Sequence, residues 1–236
     1  MTALLTTHGL EVFYGDFQAL FGIDVSIEEG ETVAIIGANG AGKSSFMNAL
    51  SGLTRSKAES IRLDGTAIGG TPAFDMVKRG IALVPEGRKL FPSLTVEENL
   101  LMGAVGKSVD RGWTLASIYT LFPVLEERKH QLAPTLSGGQ QQMVAIGRAL
   151  MANPRILLCD EISLGLSPAV IRDVYAALAT IKARGTTVLI VEQDLRAALS
   201  AADRVYCFME GRVSLSGKPA ELSRDAIQAA YFGSAP

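Results

Sequence analysis

Apolar residues fall into short runs along this chain, and turn residues separate the runs. Between Leu4 and Ile27 they alternate with polar residues in two stretches that meet at Gly15-Asp16, which predicts two antiparallel strands. Further strands are predicted for TVAII at 32–36, IRLDG at 61–65, IALV at 81–84, ILLC at 156–159, TTVLIV at 186–191, and two short runs flanking Glu210-Gly211.

Helical patterns occupy most of the other segments. Thr95-x-x-Glu98 has the spacing of a capping box and predicts a helix that continues through Leu101. A second helical pattern breaks at Pro123, and no strand pattern occurs between about 89 and 136. We therefore predict an α/β fold with an antiparallel β edge. It forms one domain, 1–236, in which 1–88 and 137–236 are the core and about 89–136 are a helical insertion.

Charge and composition exclude several classes of protein. The formal net charge is −2 over 236 residues and no region is strongly basic, which argues against a nucleic-acid groove. No apolar run approaches the roughly 18 to 20 residues that span a bilayer, and the first residues lack a cationic leader. Cys159 and Cys207 lie in apolar runs without metal-ligand spacing. We expect a cytoplasmic protein with reduced, buried thiols.

The segment GANGAGKSS, residues 37–45, is called the phosphate loop below. Its Gly-x-x-x-x-Gly-Lys-Ser pattern predicts backbone N–H groups and a helix N-terminus that surround a phosphate chain. Lys43 would reach the β and γ phosphates, and the Ser44 hydroxyl would hold Mg²⁺. A glycine-rich turn that binds nothing fits less well, because eight positions match between a strand and a helix. The predicted contacts are Gly37, Ala38, Asn39, Gly40, Ala41, Gly42, Lys43, Ser44 and Ser45.

Polar side chains follow three of the predicted strands. Asp160 and Glu161 end the ILLC strand, where two carboxylates are costly unless a cation such as Mg²⁺ balances them. Asp160 would hold the ion, and Glu161 would orient or deprotonate an attacking water. Glu86 and Gln193 lie just past two other strands, on the side of an α/β sheet where ligands bind.

Two further features have more than one interpretation. Residues 137–140, called the SGGQ stretch below, open a helical pattern and could form a second anion site or a plain helix cap. The ring of Tyr14 could stack on an adenine or pack on its own sheet.

The ordered set GANGAGKSS, VPEGR, LSGGQQQM and CDEISLGLSP resembles the ATP-binding subunit of ABC transporters over nearly the whole chain. VPEGRKLFPSLTVEENL and LIVEQD are similar to the LivF type of branched-chain amino-acid importers. The resemblance implies a P-loop NTPase fold and ATP hydrolysis with Mg²⁺. It assigns the metal to Ser44, Asp160 and Glu86, catalysis to Glu161, Lys43, Gln193 and Glu86, adenine stacking to Tyr14, and contact with the opposite subunit's ATP to Ser137, Gly138, Gly139 and Gln140.

The resemblance also implies partners. These are ATP, a second and different ATPase subunit in a head-to-tail dimer, two transmembrane permease subunits and, indirectly, a periplasmic or extracellular substrate-binding protein, with no nucleic acid. The chain would lie on the cytoplasmic face of the membrane. Transporters of urea, amides or lipopolysaccharide, a non-transport ABC ATPase, and a module that senses ATP without hydrolysing it remain alternatives.

Three positions depart from the general family pattern. Glu86 replaces the usual glutamine, Gln193 the usual histidine, and Ile162 the usual proline. The first two also occur in LivF-type subunits. We hypothesise that this chain's own site hydrolyses ATP slowly and that a partner with the usual histidine carries the faster site.

Overall fold

The computed structural model describes residues 3–105 and 112–232. Two compact units account for them: residues up to Ala73 together with those from Thr187 onward, and Phe74–Thr186. The predicted division into a core and a helical insertion stays a prediction. Within the described residues, no helix combines the length and the apolar character needed to cross a membrane.

The N-terminal part of the first unit carries the predicted antiparallel edge. Its elements are β1 (Leu5–Tyr14), β2 (Phe17–Ile27), β3 (Thr32–Ile36), α1 (Lys43–Leu50), a 3-10 helix (Ala58–Ser60), β4 (Ile61–Leu63) and β5 (Thr66–Ala67). Strands β2, β1, β4 and β5 form an antiparallel sheet in that order, and Tyr14 pairs with Phe17 across the Gly15-Asp16 turn. The predicted hairpin is confirmed. The predicted strand at 61–65 ends at Leu63, because Asp64 and Gly65 take positive φ angles in the turn to β5.

The second unit follows. Its elements are α2 (Ala73–Lys78), β6 (Ile81–Val84), α3 (Val96–Met102), α4 (Leu115–Leu121), α5 (Pro123–Glu127), a 3-10 helix (Ala133–Thr135), α6 (Gly138–Leu150), β7 (Ile156–Asp160) and α7 (Pro168–Ala183). Strands β6 and β7 pair in parallel, with Val84 opposite Cys159. The helix break at Pro123 is confirmed. Residues 106–111, which belong to the predicted helical insertion, lie outside the described residues.

The chain then completes the first unit. The last elements are β8 (Thr187–Glu192), α8 (Leu195–Ala201), β9 (Arg204–Met209), β10 (Arg212–Gly217), a 3-10 helix (Pro219–Glu221) and α9 (Arg224–Phe232). Strand β3 lies between β8 and β9 and is parallel to both, while β10 pairs antiparallel with β9. Every residue of β3 and β8 is buried, as expected for parallel strands covered on both faces.

Close packing and helix caps fix the elements of the second unit. A Cβ on Gly147 of α6 would lie 2.7 Å from Leu100 of α3 and 2.9 Å from Ile118 of α4, so this glycine lets three helices meet. Helix α3 starts with the predicted capping box: Thr95 Oγ1 accepts from the Glu98 N–H, and Glu98 Oε2 accepts from the Thr95 N–H.

Candidate functional site

The phosphate loop lies between the end of β3 and the start of α1. Gly42 is the N-cap of α1 and has a φ of 99°, which favours glycine. The Lys43 side chain is buried, and its ammonium donates to the carbonyl oxygens of Gly37 at 2.7 Å and Ala38 at 3.0 Å. The lysine therefore closes the loop onto itself, with its charge at the loop's centre.

Neighbouring strands hold this loop by close backbone contacts. A Cβ on Gly37 would overlap the carbonyl oxygen of Phe208, and one on Gly42 would lie 2.6 Å from Leu20 Cδ2. The Gly211 N–H, in the turn between β9 and β10, donates to the Ala41 carbonyl at 3.1 Å. These glycines therefore allow close packing behind the loop as well as the turn itself.

Tyr14 reaches the helix that follows the phosphate loop. Its ring is about half exposed, and its hydroxyl lies 3.5 Å from Thr54 Oγ1. Burial acts to raise the pKa of Tyr14, but hydrogen bonds with Ser45, Thr54 and Asn48 outweigh it and lower that pKa. The ring is thus partly open to solvent beside α1 rather than buried in its sheet.

Gln193 follows β8 at the same sheet edge from which the loop begins. Ile36, the last residue of β3, pairs with Glu192, the last residue of β8. Gly37 and Gln193 therefore both start from the carboxyl edge of the sheet, where ligands bind in this class of fold. The first unit brings together Tyr14, the phosphate loop and this edge position.

The second unit has its own row of acidic side chains at a strand edge. Val84, the last residue of β6, pairs with Cys159 of β7. The residues that follow them, Pro85-Glu86 and Asp160-Glu161, therefore lie at neighbouring positions of the sheet edge. Asp160 is buried, Glu86 is exposed, and Glu161 has a φ of 48°. A left-handed non-glycine residue is uncommon, and here it turns the chain out of the sheet directly after Asp160.

The SGGQ stretch forms the start of α6. Ser137 is the N-cap, its Oγ accepts from the Gln140 N–H at 3.3 Å, and its own N–H donates to Gln140 Oε1 at 3.0 Å. A Cβ on Gly139 would lie 2.6 Å from Val170 of α7, so α6 and α7 approach closely here. The Ser137 hydroxyl proton can still be donated while its oxygen accepts, so the cap is compatible with an anion in front of the helix.

No group of three or more histidine, cysteine, aspartate or glutamate side chains has a metal-binding arrangement within residues 3–105 and 112–232. The oxygens of Ser44, Asp160 and Glu86 are nevertheless the hard donors that Mg²⁺ prefers, so the donor chemistry fits this ion. Cys159 and Cys207 are both buried and are not joined in a disulfide, as predicted.

Two arginines near this acidic edge were not singled out by the sequence. Arg148 of α6 donates to the carbonyl oxygens of Lys89 at 2.8 Å and Arg88 at 2.9 Å. The Arg88 guanidinium lies beside Gly138. A cation within the apolar run VAIGRAL was the available signal for Arg148, because arginine is seldom buried without a partner.

Comparison with known proteins identifies the class. The family model described as "ABC transporter" matches residues 20–163, and the chain belongs to this family. Its fold is similar to that of a nucleotide-free ATP-binding cassette from an ABC transporter, with a TM-score of 0.82 and 27% identity over 97% of this chain and 95% of that one. The dimeric, post-hydrolysis state of a cassette bound to ADP and Pi matches with a TM-score of 0.80 and 25% identity, over 91% and 98% of the two chains. The P-loop NTPase fold of the ABC type is therefore confirmed, and the chain is an ATPase of this family.

Within the family, the similar proteins include branched-chain amino-acid systems. The chain is 42% identical to the high-affinity branched-chain amino acid transport ATP-binding protein BraG of Pseudomonas aeruginosa, over 98% of this chain and all of BraG. It is 31% identical to BraF of the same organism, over 98% of both chains. A probable LivF of Archaeoglobus fulgidus is 33% identical over 93% and 94%.

Proposed function

We propose that this chain is the ATP-hydrolysing subunit of an ABC importer for branched-chain amino acids. The observation that carries this proposal is the 42% identity with BraG over 98% of this chain and all of BraG, rather than over the phosphate loop and the SGGQ stretch alone. The similarities to BraF and to LivF agree with it.

The phosphate loop and Tyr14 would bind ATP. The first N–H groups of α1 and the buried Lys43 ammonium supply positive charge around the phosphates. On binding, Lys43 would exchange its bonds to the loop carbonyls for the β and γ phosphates. Tyr14, whose ring is half exposed beside α1, would stack on the adenine.

ATPases of this family generally use Mg²⁺ with ATP. Here Ser44, Asp160 and Glu86 would hold the ion through one hydroxyl and two carboxylate oxygens. The ion would offset the phosphate charge that a carboxylate at position 86 would otherwise repel.

Glu161 would act as the general base toward the attacking water. Its left-handed backbone breaks the alternation of side chains that a continuing strand would have. We infer that this conformation positions the Glu161 carboxylate for the water in front of the sheet edge. Gln193 would orient the water or the γ-phosphate by hydrogen bonds. The SGGQ stretch would contact the ATP held by a second, different ATPase subunit.

A groove in the second unit offers a surface for the permease partner. It has a volume of about 320 Å³ and is lined mainly by apolar side chains, among them Val77, Leu83, Phe91, Met102 and Val105, with Arg148. Phe91, Met102 and Val105 are each more than two-fifths exposed, and clustered exposed apolar residues mark interaction sites. A cytoplasmic loop of a transmembrane subunit would bind here, with the chain held at the cytoplasmic face of the membrane.

Uptake of labelled leucine tests this function. In cells lacking the gene, the wild-type chain should restore uptake and Glu161→Gln should not, because ATP would bind without being hydrolysed. Glu127→Gln is the matched control, since it makes the same change on an exposed residue of α5 and should restore uptake. Normal leucine uptake in the deleted cells would contradict the assigned cargo.

A further inference from the structure

The segment that follows Glu86 has a strained backbone. Gly87, Arg88 and Lys89 have φ angles of 70°, 65° and 46°, so two consecutive non-glycine residues adopt the left-handed region. Such residues persist only where their surroundings hold them, and they concentrate at functional sites. The surroundings of this segment therefore indicate what it does.

Arg148 of α6 holds the segment from one end. Its two terminal nitrogens, Nη1 and Nη2, donate to the Lys89 and Arg88 carbonyls at 2.8 and 2.9 Å, so a single planar group fixes both strained residues. Burial lowers the pKa of Arg148, and within residues 3–105 and 112–232 it forms no ion pair with a carboxylate. Its guanidinium also lies 5.4 Å from the centre of the Phe91 ring. This half-buried arginine therefore binds the backbone of the segment rather than a carboxylate.

Arg88 holds the same segment to the other end of α6. Its Nη1 donates to Gln141 Oε1 at 3.5 Å, and a Cβ on Gly138 would lie only 3.2 Å from its Nη2. Gly138 and Arg148 are separated by about 15 Å along the helix axis. The segment is thus attached to α6 both beside the SGGQ stretch and near the helix C-terminus.

Arg148 and the segment also form one wall of the groove described above. Lys89, Phe91 and Arg148 line it together with Met102 and Val105. A Cβ on Gly103, at the end of α3, would overlap the Arg148 carbonyl oxygen, so the backbone at Arg148 is packed tightly as well. A movement of α6 would therefore displace the wall of the groove.

We propose that Arg88 and Arg148 are positioning residues that make the 87–91 segment and α6 move as one body when ATP reaches the SGGQ stretch. An anionic phosphate in front of α6 attracts the adjacent Arg88 guanidinium, and Arg148 transmits the shift to Lys89 and Phe91. The proposal rests on the proposed function in one respect, the contact between the SGGQ stretch and ATP. It goes beyond that function by naming the residues that couple ATP to the groove.

Hydrogen exchange in the complete transporter tests the proposal, with Glu161→Gln present to keep ATP intact. In this parent, ATP should change the exchange of peptides covering 86–92 and protect those covering 37–45. Arg148→Met should reduce the change at 86–92 at least fivefold while leaving the protection at 37–45. Arg148→Lys should recover only part of the response, because one ammonium cannot reproduce the guanidinium fork. Arg88→Met should weaken it as well.

Arg184→Met provides the matched control. Arg184 belongs to the same unit and stacks at 3.9 Å on the Trp113 ring, without contacting the 87–91 segment. The Arg184→Met variant should show the same ATP-dependent change at 86–92 as the Glu161→Gln parent. Without nucleotide, Arg148→Met should also accelerate exchange at Arg88, Lys89 and Leu90, because the strained segment loses its two hydrogen bonds.

Two results would overturn the proposal: unchanged exchange of these amides in nucleotide-free Arg148→Met, or a full ATP response at 86–92 in that variant. Protection at 37–45 reports ATP binding separately, so a failure of the proposed function would appear there. Leucine uptake by the cells lacking the gene, with and without the wild-type chain, tests the cargo independently of either measurement.

Discussion

At the scale of single residues, the unusual positions are the polar groups at strand ends. Glu161 keeps the carboxylate that a general base needs, in a left-handed backbone that the surrounding fold must maintain. Gln193, one residue beyond β8, has an amide at the position where the family resemblance implies a histidine. An amide can orient a water or a phosphate, but it cannot become a cation beside developing negative charge.

Gln193→His should therefore raise ATP turnover of the complete transporter. A charge-assisted hydrogen bond is roughly twice as strong as a neutral one, so a gain of about 1 kcal/mol, or about fivefold in rate, is expected. The gain should be present at pH values below about 6.5, where an ordinary histidine is protonated, and should fade as the pH rises through that value. Steady-state ATP hydrolysis between pH 5.5 and 8.5 measures both effects.

Gln228→His is the matched control for this change. Gln228 is an exposed residue of α9, and its substitution should leave the rate and its pH dependence unaltered. An equal or lower rate for Gln193→His at pH 6 would contradict the slow-site hypothesis.

At the scale of elements, capping boxes open α3, α4 and α6 within residues 3–105 and 112–232, and of these three only the box of α3 contains a carboxylate. Thr95 at the start of α3 pairs with the carboxylate of Glu98, whereas Thr114 at the start of α4 pairs with the hydroxyl of Ser117. Hydrogen bonds from the Thr95 backbone N–H and from the Thr95 hydroxyl lower the pKa of Glu98. Only the first box can therefore titrate.

Thr95→Val and Thr114→Val should each destabilise the fold, by about 1 kcal/mol for the lost cap. Because the folded pKa of Glu98 lies below its ordinary value of 4.5, its contribution is present above that value and is lost as the pH falls through the folded pKa. The gap in unfolding temperature between wild type and Thr95→Val should shrink below about pH 4.5. Calorimetry from pH 3.5 to 7 should show this narrowing.

Thr114→Val serves as the control, since the capping box at Thr114 contains no titrating group. The difference in unfolding temperature between wild type and Thr114→Val should therefore stay constant with pH. Equal pH dependence of the two gaps would show that the Glu98 carboxylate does not govern the first box.

The sequence predicts features that depend on neighbouring residues better than features that depend on contacts between distant residues. The phosphate loop, the Thr95 cap, the break at Pro123 and the Gly15-Asp16 hairpin are set by residues within a few positions of each other. Arg148 instead bonds residues 59 and 60 positions away, and Gly139 packs on Val170. Contacts of that separation depend on the tertiary arrangement, so pattern and spacing alone did not identify them.

At the scale of the whole molecule, the groups predicted to bind phosphate lie at two helix starts. The phosphate loop leads into α1 and the SGGQ stretch opens α6, and each lies in a different unit. A solved cassette to which this chain is similar is dimeric and bound to ADP and Pi. We therefore expect the SGGQ stretch to serve the nucleotide of a second subunit.

Ser137→Glu tests this expectation, because it places a negative charge where a partner's γ-phosphate would bind. Juxtaposed like charges cost several kcal/mol, so ATP-dependent association of Glu161→Gln with its partner ATPase should weaken about a hundredfold or more. ATP binding to the isolated chain should change little, since the phosphate loop is untouched. Thr135→Glu, an exposed residue two positions earlier, introduces the same charge and should associate normally. Sedimentation velocity with ATP would reveal the difference, and association of Ser137→Glu as tight as that of Thr135→Glu would exclude a role for the SGGQ stretch in binding across the dimer.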